Sequence, residues 1–256
     1  MSKTVSNFLS RKRHSPIQHF SLEKKHGLFV PSIDRKFKDV RTHSFKHQWF
    51  YRYRVHYPRL ESINGSLSKF LTSSFENCPN HVFQKSRFRC SKCNTFLDLK
   101  LNHYTEHEII DLAKQSRIQT SLKERHENLQ KFFLENDRHT ISVEVPLWAE
   151  SNEFSDYTKC FGTCDAMTGH VDLLRYIPLG DRNFKVQIWD YKPGAYKEKY
   201  AMTQVFLYAF MLSLRTGISF RNIECGYFDE VDAFTFMPEQ ANAKTLEQLK
   251  KATGSM

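Results

Sequence analysis

Three side chains in one short stretch of this 256-residue chain have the types and spacing of a hydrolytic metal site: Asp172, Asp190 and Lys192. Asp190-Tyr191-Lys192 sets a carboxylate and an ammonium two residues apart, and residues two apart in a strand share a face. Asp172 closes the sequence Gly169-His170-Val171-Asp172, with 17 residues between it and Asp190. HVDLLRYI (170–177) and FKVQIWDYK (184–192) flank the turn PLGDRN, which predicts a β-hairpin with Asp172 beside the other two. Two carboxylates and one ammonium on one face form a compact site for a hard divalent cation. Mg²⁺ takes oxygen ligands, keeps several waters, and usually needs only one or two carboxylates plus a substrate phosphate. The Tyr191 carbonyl is a further oxygen ligand within reach. The lysine would orient or deprotonate an attacking water, or neutralise charge in the transition state.

Gln204 and Tyr208 stand at i and i+4 in a predicted helix over 200–215, so they share one helix face and could reach the same site or a phosphate backbone. A lone Asp-x-Lys on a strand is usually an exposed ion pair. Its conjunction with Gly-x-x-Asp before it and Gln-x-x-x-Tyr after it points to metal-dependent phosphodiester hydrolysis. FGTCDAM offers a rival first aspartate, Asp165, but that leaves 24 residues before Asp190, long for one hairpin, and Asp172 is the better choice.

A second constellation is Cys78-x₂-His81 with Cys90-x₂-Cys93. Short x₂ spacings turn two ligands toward one ion, and three Cys with one His suit tetrahedral Zn²⁺. His103 or His107 could replace His81. The gap VFQKSRFR carries Lys85, Arg87 and Arg89 and would form a basic finger. The plainer reading is a pair of turns with reduced thiols. Cys160 and Cys164 are read as ordinary thiols.

These residues need elements to position them. Apolar stripes predict helices over 60–75 (Leu60, Ile63, Leu67, Phe70, Leu71), 105–117 and 121–135. The last opens on Ser121 with Glu124 three residues on, a capping-box pattern, and its stripe of Leu122, Leu129, Phe132 and Phe133 includes His126. ISVEVPLW (141–148) alternates as a strand, NIECGYF (222–228) and DAFTF (232–236) are two more, and 239–252 is a closing helix. The order predicts an α/β fold, a central mixed sheet flanked by helices.

Three parts are expected: a basic, aromatic-rich segment 1–59, a helix with the zinc-binding module over 60–103, and an enzymatic core over 104–256. The net charge is +10, and residues 1–59 hold 14 Lys and Arg against three Asp and Glu, while the rest is nearly neutral. A basic arm on a neutral body suits a polyanion, nucleic acid first, although a solubilising tail has the same charge. Within the arm, HQWFYRYRVHY (47–57) alternates basic and aromatic side chains; it would stack bases and hold phosphates, or pack as an edge strand. With 40% hydrophobic residues and only nine Gly, the composition excludes collagen-like, low-complexity or wholly disordered chains. No apolar run reaches the roughly 18–20 residues of a membrane span. No secretory h-region is visible, so a soluble, cytoplasmic protein with no membrane partner is expected.

GHVDLL, VQIWDYKPG and QVFLY resemble, in this order, the G-x-x-D, D-x-K and Q-x-x-x-Y motifs of the PD-(D/E)XK nuclease superfamily, in its RecB-like branch. The resemblance covers about residues 120–230. It implies a restriction-endonuclease-like core in which Asp172 and Asp190 are Mg²⁺ or Mn²⁺ ligands, Lys192 is the catalytic lysine, and Gln204 and Tyr208 form the third motif. Members of this branch often add a His from the helix ahead of the first core strand, and His126 matches that place as a metal ligand; the alternative is a satisfied core histidine. Glu144 sits where many members carry a catalytic acidic residue. The implied activity is hydrolysis of DNA by in-line attack of water, leaving 5′-phosphates, in repair or defence. Some relatives hold an iron–sulfur cluster on a C-terminal Cys group. No Cys follows Cys225 here, so that pattern is absent, and a cluster on Cys78, Cys90 and Cys93 with a distant fourth Cys is the lesser alternative to zinc. No helicase motif is visible, and any helicase would be a separate partner chain. The rival readings are a nucleic-acid-binding zinc protein with an inert nuclease fold and a dimeric junction resolvase.

Overall fold

A computed structural model of the chain describes residues 39–63, 65–119, 124–180 and 183–253. Nine strands join one mixed sheet: β1 (Val40–His47), β2 (Trp49–His56), β3 (Phe88–Arg89), β4 (Asn102–Tyr104), β5 (Thr140–Ala149), β6 (Met167–Pro178), β7 (Phe184–Tyr191), β8 (Ile223–Phe228) and β9 (Ala233–Phe236). Their spatial order is β1-β2-β5-β6-β7-β8-β9-β4, with β3 also paired to β6. Helices α1 (Tyr57–Glu61), α2 (Ser66–Asn77), α3 (Asn80–Lys85), α4 (Glu108–Gln119), α5 (Arg125–Asn136), α6 (Tyr157–Phe161), α7 (Ala201–Thr216) and α8 (Ala243–Thr253) flank it. The chain is thus an α/β protein built on a large mixed sheet.

The centre is an antiparallel meander, β5-β6-β7. The expected hairpin is its second half, running in register from Leu173↔Trp189 to Pro178↔Phe184. β8 lies parallel to β7, and parallel neighbours need a crossover element, which α7 supplies. α7 is apolar nearly all round, with 13 of its 16 residues buried, so it becomes the central helix of one layer; Gly217 at φ 71 ends it. Adjacent strand residues divide between two cores, as the pleat requires. Leu174 and Ile188 pack with Val205 and Leu207 of α7. Leu173 and Trp189 pack with Ile109 of α4 and Leu129 of α5. The two helical layers therefore approach the hairpin from opposite faces.

Several expectations need correcting. The three expected parts contribute to one sheet: β1 and β2 from the first segment, β3 from the second, β4 across the boundary at 103, and β5–β9 from the third. The strip 47–57 is mostly strand β2, and Arg54↔Val143 ties it to β5. The helix expected over 60–75 is two, α1 and α2, broken before Gly65, whose φ of 102 a helix cannot contain. The helix expected from Ser121 starts at Arg125, with Glu124 at the N-cap in a left-handed conformation (φ 62), so Glu124 does not act as a capping-box partner. Ser121 and residues 1–38 lie outside the described residues. Among those described, no helix is long and apolar enough to cross a membrane.

One buried ion pair braces the sheet against the α4–α5 layer. Arg175 of β6 is fully buried. Its Nε donates to Asp137 Oδ2 at 2.7 Å, Nη2 to Glu108 Oε1 at 2.7 Å, and Nη1 to Gln187 Oε1 at 2.7 Å.

Candidate active site

Strand register lines up three carboxylates. Val143↔Leu173 and Val145↔Val171 bracket Glu144 opposite Asp172, and Leu173↔Trp189 leaves Asp190 as the next partner of Asp172. Glu144, Asp172 and Asp190 thus form a row across β5, β6 and β7. Glu144 has φ 52, a left-handed residue inside a strand. Such a residue costs on the order of 1–3 kcal/mol and persists only where its surroundings hold it; here β2 and β6 pair with β5 on either side.

Each carboxylate has a fixed partner. Lys192 follows β7 directly, and its backbone N–H donates to Phe228 O of β8 at 2.8 Å. That anchor holds its Nζ 2.6 Å from Asp190 Oδ2. Asp172 Oδ2 accepts from Tyr191 N at 2.8 Å, and Oδ1 lies 2.8 Å from His126 Nε2. Gln130, one turn after His126 on α5, donates to Glu144 Oε1 at 2.8 Å. From the other layer, Gln204 Nε2 donates to Asp190 Oδ1 at 3.2 Å and to the Tyr208 hydroxyl at 2.7 Å. Gly169 has a steric reason to be glycine: a Cβ there would collide with the Tyr208 ring. The first residue of Gly-x-x-Asp and the last of Gln-x-x-x-Tyr are therefore one packing contact.

The structure brings together every residue of the expected carboxylate site, with one rearrangement. Ligand atoms of His126, Glu144 and Asp172 lie within 4.8 Å of one another, the one such group of three or more among the described residues. Asp190 adjoins this trio but is held by Lys192 and Gln204. Glu144, expected as a catalytic acid, is thus one of the three side chains whose donor atoms converge. Asp165 is exposed in the loop before β6 and does not line the cleft that holds Asp172 and Asp190.

The electrostatics follow from crowding. Burial and the neighbouring Asp172 charge push the Glu144 carboxyl up to about 7, and the same two causes push Asp190 up to about 7. Burial would also raise Asp172, but the His126 charge and hydrogen bond, with Lys192 and the Tyr191 N–H, outweigh it and hold Asp172 below the usual carboxylate range. The Asp172 charge in turn raises His126 to about 9, against desolvation. Burial disfavours the Lys192 ammonium, yet Asp190 overcomes this and raises it further. The site therefore contains one ammonium, one imidazolium and two carboxyls poised between charge states.

The row lies in a cleft of about 500 Å³, and β2 forms much of its wall. Phe50, Arg52 and Arg54 alternate along β2, share a face, and line the cleft, while Tyr53 and Val55 turn into the core. Tyr51 stacks on the His170 ring at 3.6 Å, and Arg89 Nη2 donates to the Tyr51 hydroxyl at 2.6 Å. The 47–57 strip is thus not the edge strand expected, since β2 lies between β1 and β5, and its Phe50, Arg52 and Arg54 line the cleft. Sequence reasoning missed Gln130 and the His47–His170 contact, whose Nδ1 and Nε2 are 2.9 Å apart. Gln130 is one helical turn from His126, the one signal that pointed to it.

The expected zinc set is not assembled. Cys78, at the end of α2, is buried with Sγ 3.8 Å from His47 Nε2. His81 is exposed on α3, because Val82 and Phe83 take the buried side of that short helix. Cys90 opens a 3₁₀ turn and Cys93 caps it, both buried, while Ser91 and Lys92 between them are exposed. His103 is taken by Asp232 at 2.6 Å, and His107 packs near Trp189. Burial pushes the Cys78 thiol up to about 12 and raises Cys90 and Cys93, so all three pack as neutral thiols. The x₂ spacings are satisfied here by a helix end and a turn that face different neighbours. No family model, curated protein or solved structure matches this chain.

Proposed function

We propose that this chain is a Mg²⁺- or Mn²⁺-dependent nuclease that hydrolyses DNA phosphodiester bonds on a restriction-endonuclease-like core. The observation that carries the reading is the row Glu144–Asp172–Asp190 with the Lys192 ammonium 2.6 Å from Asp190. The ordered motifs that resemble the RecB-like branch support it independently.

The donor set fits a divalent cation. Carboxylate oxygens with one imidazole suit Mn²⁺, and the carboxylates alone suit Mg²⁺. Two carboxyls raised to about 7 by burial and mutual repulsion mark a cluster short of positive charge. Glu144, Asp172 and His126 would hold the ion, with Asp190 beside them. Bound there, it would supply an acidified water and neutralise charge on the phosphoryl oxygens.

The chain's own groups do the rest. Lys192 is an ammonium at neutral pH, so it acts by placing positive charge on the transition state and not as a base. Asp190 fixes the Lys192 Nζ, and Gln204 fixes the Asp190 carboxylate. Tyr208, locked against Gly169, fixes Gln204. Gln130 holds the Glu144 carboxylate toward Asp172.

Cation binding should release protons from Glu144 and Asp190, both partly protonated near pH 7, and from His126, whose imidazolium must lose its proton to ligate. The expected outcome is Mn²⁺ affinity that rises from pH 6 to about pH 9 and then levels off, read by titration calorimetry in two buffers of different ionisation enthalpy. Affinity flat over that range would contradict the assignment of these ligands. The function itself is tested by incubating labelled DNA with the protein and Mn²⁺: cleavage that stops with EDTA supports the reading, and cleavage indifferent to EDTA opposes it.

A further inference from the structure

We propose that the β1–β2 hairpin is the binding track for an unpaired nucleic-acid strand, with bases stacked on Trp49 and Phe50 and a backbone phosphate on Arg54. The track lies outside the segment that carries the family resemblance. It rests on the reading of the cleft as a nucleic-acid site.

The first observation is the aromatic tip. Trp49 is 70% and Phe50 77% exposed, where large apolar side chains of a folded protein are normally covered. The tip is rigidly held. Gln48, at φ 64, makes the turn alone between the paired His47 and Trp49. Its side-chain amide donates to Phe83 O and Ser86 O, both at 3.2 Å, and its Oε1 accepts from Arg89 Nη1 at 3.3 Å. The two rings stand on opposite faces of the strand, Phe50 on the cleft side, and each is a platform for a flat apolar face. Every base has such a face, and it is free only in an unpaired strand.

The second observation is Arg54. Its side chain is only 8% exposed, yet it lines the cleft beside the carboxylate row. Nη2 donates to Glu127 Oε1 at 2.6 Å, while Nη1 is buried with no hydrogen-bond partner among the described residues. A buried guanidinium nitrogen left unsatisfied is costly, and a phosphate oxygen is the acceptor its fork geometry suits. Arg52 and Arg89 add positive charge to the same wall, facing the acidic row. A cleft of about 500 Å³ accepts roughly one or two nucleotides rather than a duplex. Phe50, Arg52 and Arg54 follow one another on one strand face, so a base contact at Phe50 leads past Arg52 to a phosphate contact at Arg54 along the wall of the cleft that holds Asp172 and Asp190.

The test measures binding without catalysis. Anisotropy of a labelled thymidine 12-mer and of a 12-base-pair duplex is followed in EDTA, for the wild type, Phe50→Ala, Trp49→Ala and Arg54→Gln. The single strand should bind at least about tenfold more tightly than the duplex, since each stacked base is worth between about fivefold and a hundredfold. Phe50→Ala should lose about that much on the single strand and little on the duplex. Arg54→Gln should weaken single-strand binding and lower its log–log salt slope by about 0.7, one phosphate contact. Should Arg54→Gln fail to fold, the exposed Phe50 and Trp49 variants still decide the matter. Equal affinity for both DNAs, or single-strand binding unchanged in Phe50→Ala and Trp49→Ala, would overturn the proposal. Strand binding that depends on these residues, without cleavage in Mn²⁺, would keep this inference and remove the nuclease reading. Cleavage with binding indifferent to them would do the reverse.

Discussion

Lys192→Ala is expected to lower DNA cleavage at least about a hundredfold, the scale for losing one positioned charge or proton-transfer group. The side chain is well placed for so large an effect. It is 23% exposed, its Nζ is 2.6 Å from Asp190, and its backbone is tied to β8. The Asp190 charge keeps it an ammonium, so its contribution is electrostatic, and electrostatic effects grow where water is excluded. The loss should fall on kcat with KM little changed, because a charge aimed at the transition state adds little to ground-state binding. Lys192→Arg should recover only part, since a planar guanidinium cannot occupy the position of a compact ammonium. Mn²⁺ affinity should persist, as the trio of His126, Glu144 and Asp172 is untouched. Full activity in Lys192→Ala would remove this lysine from the site.

Arg175→Ala is expected to destabilise the fold by about 3–5 kcal/mol, the cost of breaking a buried ion pair and leaving one charge behind. Arg175 is fully buried, and Asp137 is only 4% exposed. Without the guanidinium, Asp137 keeps just the Thr140 hydroxyl at 2.6 Å and the His139 N–H at 3.1 Å. Urea unfolding measures the loss directly. Adding Asp137→Leu should restore part of it, because the stranded charge is then gone. The pair also sets an acid limit. Burial would raise the Asp137 carboxyl, but the Arg175 hydrogen bonds and charge outweigh it and hold it below its ordinary value. Its contribution is therefore complete above the ordinary carboxylate pKa near 4 and is lost as pH falls through the depressed folded value. Wild type and Arg175→Ala should converge in stability as the pH is lowered below the ordinary carboxylate value near 4. A constant gap throughout that acid range would contradict the pairing.

The hairpin and its chemistry were legible because both are local. Alternating runs around a polar turn dictate that Asp172 faces Asp190, and i, i+4 spacing dictates that Gln204 and Tyr208 act together. Glu144 entered by resemblance alone. The pattern of ISVEVPLW suggests one wet face, but β5 is covered on both faces, and Glu144 reaches the site through a left-handed kink that no periodicity announces. That the first segment joins the central sheet was not legible, for a different reason. The strip 47–57 pairs with β5 through Arg54↔Val143, almost 90 positions away in the chain, and no local signal encodes that choice of partner. The cysteines illustrate the same limit. An x₂ spacing determines how two ligands turn, whereas whether two such pairs meet depends on packing, and here Cys78 packs against His47.

The central claim, that the acidic row is a nuclease site, is tested most directly by one side-by-side measurement. Wild-type protein and Asp190→Ala are incubated with end-labelled single- and double-stranded DNA in Mg²⁺ or Mn²⁺, and products are resolved on a sequencing gel. The account predicts metal-dependent cleavage by the wild type that falls at least about a hundredfold in Asp190→Ala. Equal cleavage by both proteins, or none by either under conditions where the wild type binds the DNA, would contradict it.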